Sequence, residues 1–119
     1  KTLKYAGAHN PLWIIRNNEL IAIKADKQPV GLYFNATPFK THTIELQTGD
    51  MLYLFTDGFI DQFGGELGKK FKINAFKDLL LAINTKAMEE QHEILSRSFN
   101  HWRGDLEQVD DVCIIGVRV

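Results

Sequence analysis

Strand-like runs, broken by a loop at residues 25–39, occupy the chain from Leu3 to Thr56, and the first stripe of helical period does not begin until Phe76. This order of periodicities constrains the fold more than any other feature of the chain. A doubly wound parallel sheet needs a helix between successive strands. Here the strands come first, two helices follow, and a last strand-like run, Val112 to Val119, closes the chain. The expected class is α+β: helices on one face of a mostly antiparallel sheet. With 119 residues the chain is enough for one domain and not two.

The individual runs can be placed. Leu3, Tyr5 and Gly7 alternate with Lys4 and Ala6, a strand that AHNP then breaks. Leu12 to Arg16 and Glu19 to Lys24 flank Asn17-Asn18, and Asn tolerates positive φ, which predicts a two-residue hairpin. Residues 25–39 hold Pro29, Gly31 and Pro38 and read as a loop, with room for a short extended piece at Val30 to Phe34. Thr41 to Leu46 alternates as a half-buried strand, QTGD turns the chain, and the apolar run Met51 to Thr56 reads as a central strand. Phe76, Leu79, Leu80 and Ile83 share one helix face, with Asn74 as candidate N-cap. A second helix is predicted from about Lys86 to Trp102, capped by Thr85 and ended by Gly104.

Composition narrows the function classes. A formal net charge of −1 provides no field that would favour nucleic acid or anionic lipid. The apolar runs are too short for a membrane-spanning helix. The lone Cys113, in VCIIGV, reads as a buried reduced thiol, which suits a cytoplasmic setting. The chain opens on KTLKYAGA without an initiator Met and closes on IIGVRV, both strand-like, so it is expected to be part of a longer protein.

The acids carry the chemistry. Asp57 ends the apolar run Met51 to Thr56, and Asp110 and Asp111 precede the last strand. If those two strands are antiparallel neighbours, Asp57 and Asp110 converge at one sheet edge. Converging carboxylates repel, and one takes up a proton unless a cation bridges them. Oxygen donors without His or Cys favour a hard ion, Mg²⁺ or Mn²⁺. Gly58 would let the backbone come close to such a site. The plain alternative is that Asp57-Gly58 is only a turn after a strand.

The blocks YAGAHNPLWII, GLY, GDMLYLFTDGFIDQF and VDDVCIIGV, in that order, resemble the SpoIIE/RsbU-type branch of the PPM (PP2C-like) metal-dependent Ser/Thr phosphatases. The resemblance covers nearly the whole chain and implies part of an α-β-β-α sandwich. It makes Asp57 the metal ligand of the TDG block, with the Gly58 backbone beside it. It makes Asp110 the ligand of the late block and Asp111 a weaker candidate. Two Mg²⁺ or Mn²⁺ ions would share a water that attacks a phosphoserine or phosphothreonine. The implied partner is a phosphorylated regulatory protein of anti-anti-sigma type, in the cytoplasm or beneath a membrane sensor. No nucleic acid and no direct membrane contact are expected.

One departure matters. The family's earlier Asp-Gly block, within DxxGHG, has no counterpart in residues 1–49, and Asp26 lacks the motif. The chain is thus expected to be the C-terminal portion of such a domain, a single partial domain over 1–119. Alone it should bind metal weakly and hydrolyse little. An uncovered apolar face should also make it self-associate. A non-catalytic signalling or dimerisation module of the same fold is the alternative. An aspartyl-phosphate receiver fits poorly, because it needs the parallel βαβ order absent here.

Other residues carry weaker signals. His9 is a candidate substrate contact, weighed against a turn histidine bonded to backbone. Asp61 is a candidate support for Asp57. GGELGKKF, without the GK[ST] of a P-loop, reads as a flap rather than a phosphate cradle, and Asp50 as a turn residue. Trp13 and Trp102 are expected in the core or an interface. Arg103 is a candidate phosphate contact or a surface residue.

Overall fold

The computed structural model describes residues 1–119. Eight strands and two helices follow one another. They are β1 (Thr2–Tyr5), β2 (Leu12–Arg16), β3 (Glu19–Ile23), β4 (His42–Glu45), β5 (Met51–Phe55), β6 (Phe63–Gly64), β7 (Lys69–Lys70), α1 (Ile73–Ile83), α2 (Met88–Arg103) and β8 (Ile114–Arg118). The class is α+β, with antiparallel pairing throughout the registered strands and two consecutive helices before the last strand. The chain forms two compact units, Lys1–Leu54 with Ile115–Val119, and Phe55–Ile114.

The first unit is built on sheet. Strands stand in the order β3-β2-β5-β8, with β1 paired to β4 separately. β2 and β3 are joined by Asn17 (φ 50°) and Asn18 (φ 60°), and Arg16 faces Glu19 across the turn. Two successive positive φ values are what a two-residue hairpin of this hand demands. β5 is central, as its apolar run requires, and Trp13, Ile15, Met51 and Tyr53 are buried. On the sheet's other face Leu12, Ile14 and Leu52 form a core against which Leu3, Tyr5, Ile23, Ile44, Leu46 and Val119 pack.

Asp50 is a correction to the turn-residue reading. It is 1% exposed, and Arg16 grips it with two bonds, Nε to Oδ1 at 2.9 Å and Nη2 to Oδ2 at 2.7 Å. The Gln47 amide donates to Oδ2 as well, at 2.8 Å. The Arg16 hydrogen bonds, opposed by burial, hold the carboxyl below the usual carboxylate range. Residues 30–34 form no strand: Val30, Leu32 and Phe34 project outward, 83%, 106% and 98% exposed.

The second unit has an aromatic centre. Phe59, 1% exposed, meets Phe71, Phe76 and Phe99 with ring centroids 5.0 to 5.2 Å apart, two of the three pairs edge-on. Such geometry adds about 0.5–1.5 kcal/mol per pair beyond burial. Phe76, Leu80 and Ile83 bury the α1 stripe, and Gln91 and Phe99 are the buried residues of α2. The helix starts differ from expectation. Asn74 lies inside α1, whose N-cap is Lys72 at φ 79°, and α2 begins after Ala87, not Thr85. Neither N-cap makes a side-chain bond, so packing of the apolar faces sets the starts. Gly104 does end α2, at φ 55°, donating its N–H to the Asn100 carbonyl.

Candidate functional site

The acidic seam lies within the second unit, where β5 gives out and the chain prepares to enter β8. The Thr56 amide donates to the Cys113 carbonyl at 3.0 Å. The Thr56 hydroxyl donates to the Asp111 carbonyl at 2.8 Å and accepts the Cys113 amide at 3.0 Å. One threonine therefore satisfies the backbone on both sides of Val112. Next to it, a Cβ added to Gly58 would stand 2.2 Å from the Asp111 carbonyl oxygen and 3.0 Å from a Val112 methyl. Only glycine admits that approach. The Gly58 predicted to bring backbone near an ion does bring backbone near, and what it meets is the Asp111 carbonyl.

Asp57 opens the turn that follows, and the Asp61 amide donates to its carbonyl at 2.9 Å. Asp57, Asp110 and Asp111 are all exposed, and the Asp111 amide donates to Asp110 Oδ1 at 2.8 Å. The sequence positions 57 and 110–111, far apart in the chain, thus flank one backbone seam. The donors are carboxylates and carbonyls, which suits a hard divalent ion. In number they fall short: no three His, Cys, Asp or Glu side chains stand close enough together to hold a metal.

Other candidates fall elsewhere. His9, in the first unit, is an exposed turn residue at φ 61° whose amide donates to the Asp26 carbonyl at 2.8 Å. Asp61 lies 3.7 Å from Lys70 Nζ, a half-exposed pair. GGELGKKF spans the turn and return strand of the β6–β7 hairpin, with Phe63 opposite Lys70. Arg103 donates to the Leu106 carbonyl at 3.0 Å. Cys113 is exposed, not buried, because the final run alternates between half-buried and open positions. Trp13 is core, and Trp102 packs edge-on against Phe71.

Sequence reasoning passed over Gln62 and Trp102 as working parts. The Trp102 indole donates to the Gln62 carbonyl at 2.8 Å, and its own carbonyl accepts the Gly65 amide at 3.0 Å. A Cβ on Gly64 would lie 1.9 Å from that Trp102 carbonyl. The paired glycines after Gln62 were the available signal, since two adjacent glycines mark a close backbone approach.

The family model described as Stage II sporulation protein E (SpoIIE) matches residues 1–119. The chain belongs to the SpoIIE family. Among solved structures, this SpoIIE-family chain is similar to the SiaA-PP2C domain of Pseudomonas aeruginosa, with TM-score 0.88 and 30% identity over 99% of the chain and 46% of that structure. It also matches the PP2C phosphatase domain with a regulatory fragment of SpoIIE from Bacillus subtilis. There the TM-score is 0.72 at 20% identity, over 99% of this chain and 33% of that one. The Mn-presoaked phosphatase domain of the same protein gives 0.63 at 20%, over 92% and 46%. The chain thus spans less than half the length of these relatives. Among curated proteins no sequence matches. The fold is that of a PP2C-type phosphatase domain, in part.

Proposed function

We propose that this chain is the C-terminal portion of a metal-dependent protein serine/threonine phosphatase domain. The reading is supported by one observation above all. In a SpoIIE-family chain, the Thr56–Gly58 backbone is locked to Asp111–Cys113, which sets Asp57 and Asp110 on either side of one seam. Asp57 and Asp110 would hold Mg²⁺ or Mn²⁺, with Asp111 and the Gly58 backbone as further oxygen sources, and another part of the complete domain would supply the remaining ligands. When bound, such ions acidify a shared water and neutralise charge on a phosphoryl group. What the chain itself contributes is placement: Thr56 and Gly58 fix the separation of the two acid-bearing segments before any ion arrives.

The substrate in this reading is a phosphoserine or phosphothreonine of a regulatory partner protein, of anti-anti-sigma type. The test is Mn²⁺-dependent hydrolysis of p-nitrophenyl phosphate and of a phosphoserine peptide by a domain that includes this chain. Turnover that falls at least about 100-fold in Asp57→Ala is the expected result. No turnover at any Mn²⁺ level would instead favour a non-catalytic signalling module. The absence of any three-residue ligand cluster is what keeps that second reading in view.

A further inference from the structure

Gln62 is completely buried, yet its side-chain oxygen Oε1 has no hydrogen-bond partner. An apolar side chain of that size would fill the space without stranding an acceptor. Polar groups kept at such a cost concentrate where position matters more than stability. The other end of the amide shows what is positioned. Nε2 donates to the neighbouring Phe63 carbonyl at 3.0 Å and, across 45 residues of sequence, to the Glu107 carbonyl at 2.9 Å. Glu107 lies in the loop between α2 and β8 that bears Asp110 and Asp111.

That loop is held at two points by the segment that carries Asp57. Thr56 holds Asp111 and Cys113 at its far end, and Gln62 holds Glu107 at its near end. Between these points the bonds are internal: Gln108 Nε2 to the Asp110 carbonyl, and the Asp111 amide to Asp110 Oδ1. Gln62 is itself anchored, since its carbonyl accepts both the Trp102 indole and the Phe71 amide. We propose that Gln62 is a positioning residue for the metal seam: its amide fixes the Glu107 end of the acidic loop, so that Asp110 is presented opposite Asp57. This rests on the phosphatase reading above and adds to it a residue that touches neither ion nor substrate.

The test uses Gln62→Met, which keeps length and removes both donors. In the 119-residue chain, exchange of the Asp111 amide, which bonds to Asp110 within the loop, should quicken about fivefold while Ile14, in the first unit's core, is unchanged. Unchanged exchange at Asp111 would overturn the proposal. A second measurement needs no variant and guards against a misfolded one. The side-chain amide protons of Gln62 should exchange slowly in the wild-type chain, and fast exchange there would also overturn it. In a domain containing this chain, half-saturating Mn²⁺ should rise about tenfold in Gln62→Met with kcat at saturating Mn²⁺ retained. A merely structural role would lower kcat and leave the Mn²⁺ requirement alone, which would count against positioning. If the wild-type domain itself shows no Mn²⁺-dependent turnover, the phosphatase reading fails and takes the functional half of the proposal with it. The exchange results would still separate that failure from a failure of the tether.

Discussion

Asp50 and Tyr53 sit three residues apart and give the chain opposite sensitivities to pH. Asp50 is held below the ordinary carboxylate value by its bonds to Arg16 and Gln47. A depressed carboxyl contributes stability above the unfolded value, about 3.9, and loses it as pH falls through the lower folded value. Tyr53 is pushed up to about 12 by burial, with Arg118 opposing. Its contribution is complete below its usual value near 10 and drains away as pH climbs from there. Thermal melts across pH should show both limbs. Arg16→Met should melt lower than wild type at pH 7, with the difference shrinking below about pH 4 as Asp50 takes up a proton. A constant difference across that range would contradict the account. None of this could be read locally: Asp50 follows Thr48-Gly49 like any turn acid, and its partner lies 34 residues away.

At the scale of elements, most of the architecture was legible, and for identifiable reasons. The Asn17-Asn18 hairpin, the central β5 and the α1 stripe each rest on a periodicity or a local φ preference that needs no distant partner. Helix starts were misread because Asn74 and Thr85 look like caps, while tertiary burial of Phe76 and Gln91 decides where the turns begin. The β6–β7 hairpin was missed because its strands are two residues each, too short to show alternation. The candidate site was legible in part. Asp57 and Asp110 announce themselves as acids bounding apolar runs. Thr56 and Gln62 do not, because their work is done by bonds to backbone 55 to 57 and 45 residues away.

For the whole molecule, the feature of the first unit that matters is a set of half-exposed apolar side chains on its sheet. Leu54 continues the face of Leu52, Ile21 pairs with Ile14, and Val117 and Ile115 share the face of the packed Val119. These four residues are 39–52% exposed on one sheet face. Burying apolar area yields roughly 25 cal/mol per Å², so a second copy of the chain is the expected cover when no other is supplied. Light scattering should therefore give a mass above 13.6 kDa that rises with concentration. A strict 13.6 kDa species throughout would contradict it. The central claim, that Asp57 and Asp110 share a divalent ion, is tested most directly by a Mn²⁺-soaked crystal of a phosphatase domain containing this chain. The account expects anomalous scattering from a site within about 2.1–2.2 Å of an oxygen of each acid. Mn²⁺ located only elsewhere, in a domain that still turns over phosphoprotein, would contradict it.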